Sequence, residues 1–272
     1  MKRKEFIRLA APAIILLTNG QLAKASHYWD SASHSSKLLF RFAVASDGHY
    51  GEAGTDYENY FALLVASINE DHGRHPFSFA VVNGDIVHND KSHYPAAKKV
   101  LDGLSCKYYV SQGNHDHVTA PEWESIWGMP VNLDFTHKKK AFLVGTTSNE
   151  KGEYLCPDLN WFTQKLEEYR NKQVYIFVHI NPGALTANAV DCPELFDIFS
   201  KYPNIKAVFN GHDHDEEGIK MRKNIPFIFD AHFGGSWGTS YRGYRVVEVM
   251  KDGSAITYIM NPKEMINKDS IT

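Results

Sequence analysis

The sequence predicts a layered α/β fold closed by an antiparallel hairpin, on three observations. Short apolar or alternating runs recur along the chain with helical patterns between them, the arrangement that builds sheets covered by helices. The last two runs, Tyr244–Met250 and 255–260, flank Asp252-Gly253, a strong hairpin signal because Asp-Gly suits the left-handed turn that twisted strands need. No repeat, low-complexity stretch or linker divides the chain, so one domain is expected.

In chain order, strands are predicted over 38–46, 77–83, 107–111, 141–147, 174–179, 205–210 and 226–230, ahead of the hairpin. Helices are predicted near 57–71, 93–101, 158–170 and 193–200. In the third helix Trp161, Phe162, Leu166 and Tyr169 are spaced for a core-facing stripe. Lys138-Lys139-Lys140 reads as a solvated turn, and the Gly-rich stretch 233–238, which includes Trp237, as a plain loop, with the border of a substrate mouth as the alternative.

The first 25 residues read as a secretory signal peptide. Lys2, Arg3, Lys4 and Arg8 form a basic start, an apolar run covers 9–17, and Ala23-Lys24-Ala25 is a small-x-small cleavage pattern. That run is about half the roughly 20 apolar residues a membrane span needs, so no stable membrane anchor is expected. The protein is expected to be exported, periplasmic or secreted. Arg3-Lys4-Glu5-Phe6-Ile7-Arg8 resembles a twin-arginine signal with Lys in place of the second Arg, which leaves the export route open. Residues 26–36 then lead into a domain over 37–262, with 263–272 as a C-terminal tail.

The 272 residues are 43% hydrophobic and 22% charged, which excludes fibrous, collagen-like and disordered classes. Cleavage after Ala25 leaves 24 basic and 31 acidic side chains, a net charge of −7. Nonspecific nucleic-acid binding is therefore not expected, since it needs basic surface to exchange for phosphate counterions. Cys106, Cys156 and Cys192 include no CxxC pair, which excludes a zinc knuckle; one disulfide is compatible with them, its pairing open. The oligomeric state is also open.

Five strands end in clusters of Asp, His and Asn: Asp47-Gly48-His49, Gly84-Asp85, Gly113-Asn114-His115-Asp116, His179, and Gly211-His212-Asp213-His214. In open α/β sheets the carboxyl ends of strands face one crevice, so these clusters can converge. Asp47, His49, Asp85, Asn114, His179, His212 and His214 offer seven oxygen or imidazole donors, too many for one ion and suited to two held about 3.5–4 Å apart. Without thiolates, that donor set fits Mn, Fe, Zn or Co. Two divalent ions, two aspartates and one hydroxide leave a net positive charge, which suits a phosphate ester, and neutral Asn114 preserves it. There is no GxSxG elbow and no P-loop.

The order D-x-H, GD, GNHD, H and GHxH, running from Asp47 to His214, resembles the calcineurin-like metallophosphoesterases. The resemblance implies a four-layer α/β/β/α sandwich of two mixed β-sheets. It implies one ion on Asp47, His49, Asp85 and His214 and a second on Asp85, Asn114, His179 and His212, with Asp85 as the bridge. His115 then assists departure of the leaving group and Asp116 orients the His115 imidazole. The implied reaction is attack of a metal-bridging hydroxide on a small phosphodiester or phosphomonoester. Purple acid phosphatases carry Tyr three residues after the bridging Asp; here that position is His88, which argues against a ferric centre of that kind. The chain looks most like the single-domain, exported cyclic-nucleotide phosphodiesterase branch. An exported phosphomonoesterase or nucleotidase, and a non-catalytic metal-binding scaffold, are the alternatives. His27, His34, His72, His75, His88, His93, His117, His137 and His232 are expected to be surface or local hydrogen-bonding residues.

Overall fold

The computed structural model describes residues 14–16, 22–24, 37–230, 232–261 and 264–271. Their elements run β1 (Ile14–Leu16), β2 (Leu22–Lys24), β3 (Leu38–Ala45), α1 (Tyr57–Arg74), β4 (Phe79–Asn83), α2 (Tyr94–Leu101), β5 (Tyr108–Ser111), α3 (Ala120–Trp127), β6 (Leu133–His137) and β7 (Lys140–Val144). There follow α4 (Leu159–Glu168), β8 (Gln173–Phe177), α5 (Pro193–Phe199), β9 (Ile205–Asn210), β10 (Gly218–Arg222), β11 (Ile225–Phe229), β12 (Tyr244–Met250), β13 (Ala255–Asn261) and β14 (Glu264–Ile271).

Two sheets result, ordered β2-β1-β14-β13-β12-β3-β4-β5 and β10-β11-β9-β8-β7-β6. Both are mixed: β3, β4 and β5 are parallel, as are β7, β8, β9 and β11, while the hairpins β12–β13 and β6–β7 are antiparallel. Side chains of a strand alternate between faces, and β3 is buried on both. Phe40, Phe42 and Val44 enter the core shared with Phe142, Tyr175, Phe177 and Phe209 of the second sheet. Ala43 and Ala45 face the other way, toward Phe61, Ile68, Ala97 and Trp123 on the helices of the first sheet. Helices α4 and α5 cover the outer face of the second sheet through Phe162, Leu166, Leu195 and Phe196. The chain is thus the four-layer α/β/β/α sandwich that the resemblance implied.

Several elements depart from the sequence reading. Helix α3 escaped it, although Thr119 and Glu122 form a capping box at its start and Gly128 closes it in a left-handed conformation, signals legible in the sequence. Residues 264–271, expected within a tail, form β14 against β13, because unpaired backbone groups at that sheet edge gain a ladder. Strands β1 and β2 lie within the expected leader and extend the same edge through β1–β14 pairing. The other leader residues, 1–13, 17–21 and 25, lie outside the described residues. Lys138 and Lys139, both at positive φ, make the β6–β7 turn as expected.

Cys156 and Cys192 are disulfide-bonded with Cα atoms 5.7 Å apart, and Cys106 is free. Closing a loop of 36 residues removes freedom from the unfolded chain, worth about 2–4 kcal/mol. The Cys156→Ser, Cys192→Ser double variant should accordingly unfold roughly 5–15 °C lower than the parent in a calorimetric scan. Equal transitions for parent and variant would show that the bridge adds nothing.

Candidate active site

All five clusters sit just past the carboxyl ends of β3, β4, β5, β8 and β9. Asp47 and His49 do not lie on one extended segment. Asp47, His49, Asp85 and His212 instead adopt φ of 60°, 48°, 50° and 69°, the left-handed region that non-glycine residues rarely enter. Such strain is held only where the surroundings over-determine it, here at four of the seven expected ligands. Gly84 has φ 85°, a true turn glycine. Gly113 and Gly211 serve differently: a Cβ there would collide with Asp85 Oδ1 and with Ser46 Oγ, so glycine supplies room for the ligands rather than a turn.

The structure brings the predicted donors together in two groups. Asp47, His49 and His214 form one; Asp85, His179 and His212 form the other, and within each group the ligand atoms lie within 4.8 Å of one another. Each group draws on both sheets. Asp85 Oδ2 lies 3.1 Å from His179 Nε2 and 3.7 Å from His49 Nε2, between the groups, as a shared ligand must. His214 Nε2 is 3.2 Å from Asp47 Oδ1 and 3.0 Å from His49 Nε2. Asn114 Oδ1 and His212 Nε2 are buried without a hydrogen-bond partner. An unsatisfied buried polar atom costs about 1–3 kcal/mol, so these two among the expected ligands mark a place built for another species. Imidazole nitrogens and oxygen donors fit a transition-metal ion, and the residues present therefore fit the expected pair.

In three of the four expected ligand histidines the other imidazole nitrogen is held from behind, as metal-binding histidines require. His179 Nδ1 contacts the Asn83 carbonyl at 2.7 Å, His214 Nδ1 the Trp237 carbonyl at 3.1 Å, and His49 Nδ1 pairs with His88 Nδ1 at 3.0 Å. Charge is concentrated here. Burial alone would raise the Asp47 pKa, but His214 and His179 hold its carboxyl below the usual range. Asp85 is likewise held well below it, by His179 and His49 against burial. Burial lowers His49 to about 3, while for His179 the pull of Asp85 and Asp47 exceeds burial and raises it to about 10. Two buried carboxylates thus demand positive charge where the sequence places metal.

His115 lies beside this centre, its backbone N–H donating to Asp85 Oδ1 at 2.8 Å and its ring 4.9 Å from that of His49. Asp116 does not orient it. Its carboxylate is fully buried and accepts from the backbone N–H groups of Ile86, Val87 and Gly113 and from the Tyr94 hydroxyl. Those bonds pin the GNHD turn to the Asp85 loop, a framework role. The partner of His115 Nδ1 is Asn89 Oδ1, at 2.7 Å. Asn89 was missed because its left-handed φ of 62° folds it back across a gap that no motif spans. His88 and His232, expected to be ordinary, both join the site: His88 stacks on His115 at 4.9 Å and His232 on His214 at 4.8 Å. Nor is 233–238 a plain loop, since Trp237 stacks on His214. Tyr154 meets His212 edge-on at 4.9 Å.

The sequence profile described as calcineurin-like phosphoesterase matches residues 40–216, most of the chain and all of the ligand clusters. The chain belongs to the calcineurin-like phosphoesterase family. As a member it is a phosphoric ester hydrolase. It is 28% identical over 192 residues to a probable cyclic nucleotide phosphodiesterase of Coxiella burnetii, covering 66% of this chain and 73% of that one. A 3′,5′-cyclic-nucleotide phosphodiesterase of Nostoc is 24% identical over 197 residues, covering 61% and 69%. Among solved structures, a dimetal phosphatase from Danio rerio superposes with a TM-score of 0.67 at 13% identity, covering 86% of this phosphoesterase and 99% of that chain.

Proposed function

We propose that this phosphoesterase holds two transition-metal ions and hydrolyses small phosphodiesters outside the cytoplasm. The observation that carries the reading is the convergence of six of the seven donors in two groups, with the polar atoms of Asn114 and His212 buried and unpartnered. Asp47, His49, Asp85 and His214 would hold one ion, and Asp85, Asn114, His179 and His212 the other. When bound, the ions supply an activated water and positive charge facing the phosphoryl oxygens. His115 transfers the proton to the leaving oxygen through Nε2, because Asn89 holds Nδ1. His88, stacked on the His115 ring, keeps it from turning away. Diester preference is supported by the relatives named as cyclic nucleotide phosphodiesterases. Export is supported by the leader pattern and by a disulfide, a bond that persists in oxidising compartments.

The test is hydrolysis of bis(p-nitrophenyl) phosphate and p-nitrophenyl phosphate by chelator-stripped protein with Mn, Zn, Fe(II), Co or Mg added back singly. Activity restored by a transition metal, faster on the diester, is the expected result; folded protein inactive on both esters with every metal would overturn the proposal. Asn89→Ala should lower kcat about 10–100-fold, the usual cost of removing an outer partner, with metal content unchanged. Unaltered kcat would remove Asn89 from the mechanism.

A further inference from the structure

Trp237 lies in the loop between β11 and β12, where its carbonyl holds His214 Nδ1 and its indole stacks on the His214 ring, centroids 4.2 Å apart and planes 10° apart. The indole centroid is 4.9 Å from His49 and 6.4 Å from His115. Despite these contacts the residue is 44% exposed. With one face covered by His214, that exposure belongs to the opposite face and the outer edge. Gly238, at φ 111°, packs so closely on His214 that a Cβ there would overlap it. An aromatic plane stacked on His214 therefore stands open to solvent beside His115, the histidine proposed to serve the leaving oxygen.

We propose that Trp237 is the stacking platform for a planar group on the alcohol half of the substrate, selecting esters of nucleosides or aryl alcohols over those of aliphatic alcohols. The proposal rests on the phosphoesterase reading, because His115 defines where the alcohol leaves. Stacking a base on an aromatic side chain changes affinity by about tenfold or more. Stacking of this kind needs no hydrogen bond to the base. Trp237 thus reads flatness and not base identity.

The test compares parent, Trp237→Ala and Trp237→Phe on adenosine 3′,5′-cyclic monophosphate, bis(p-nitrophenyl) phosphate and glycerophosphoethanolamine, alongside calorimetric binding of adenosine monophosphate and glycerol 3-phosphate. In Trp237→Ala, KM for the nucleotide should rise about tenfold relative to KM for the glycerol diester, and the binding preference for adenosine monophosphate should shrink equally. Trp237→Phe should restore most of both. A response confined to the bis-aryl ester would assign the platform to aryl groups alone. Equal losses on the nucleotide, aryl and glycerol esters would give the indole a purely structural part against His214 and overturn the proposal. Were the parent inactive on every ester, the phosphoesterase reading would fail, and the two binding constants would still decide whether Trp237 stacks a base.

Discussion

Asp85→Asn should reduce phosphodiester hydrolysis on the order of 10³-fold while the protein stays folded, the largest catalytic effect expected of any single substitution here. Asp85 Oδ2 lies between His179 Nε2 and His49 Nε2, and Oδ1 accepts the His115 backbone N–H. One carboxylate therefore lies between both donor groups and also places the turn that carries His115, the proposed proton donor. An amide of the same size keeps the packing but loses the charge that two cations share, and it can present only one oxygen. Metal analysis of the purified variant should show less bound metal than the parent. A variant with full activity and full metal content would refute the bridging role.

Arg245→Ala is expected to cost about 3–5 kcal/mol, lowering the unfolding temperature by roughly 10 °C, the largest stability effect expected outside the ligand clusters. Arg245 lies on β12 with no solvent exposure and donates through Nε to Asp230 Oδ1 at 3.0 Å, through Nη1 to Thr257 Oγ1 at 3.1 Å and through Nη2 to the Phe229 carbonyl at 2.7 Å. It thereby ties the first sheet to the end of β11 in the second. Alanine strands a buried carboxylate and a buried carbonyl together. Burial already pushes the Asp230 pKa up to about 7 against the pull of Arg245, and removing that pull raises it further. A carboxyl whose folded pKa lies above its unfolded value contributes stability that is lost as pH rises. The variant's deficit should therefore be larger at pH 8 than at pH 5, in thermal scans at both. A pH-independent deficit would assign the effect to lost packing alone.

The metal-binding set was legible because its chemistry sits in short motifs at strand ends, and the parallel strands carry those ends to one crevice. Asn89, His88 and His232 were not legible, for their roles come from a left-handed turn and ring stacking between residues far apart in sequence, and Trp237 was legible only as part of a loop that could border a substrate mouth. Asp116 shows the opposite error: adjacency to His115 suggested contact, yet its carboxylate points to four other donors. Among secondary elements, β6 and β10 escaped because Leu133–His137 and Gly218–Arg222 are five-residue edge strands with no fully buried residue, each carrying only two large apolar side chains in weak alternation.

Each donor group takes side chains from both sheets: Asp47 and His49 with His214, and Asp85 with His179 and His212. An ion in either group would act as a rivet across the seam of the sandwich. Phosphate-ester chemistry and mechanical cohesion then depend on the same two atoms, and starving the protein of metal would slacken the joint between its halves as it silences the reaction.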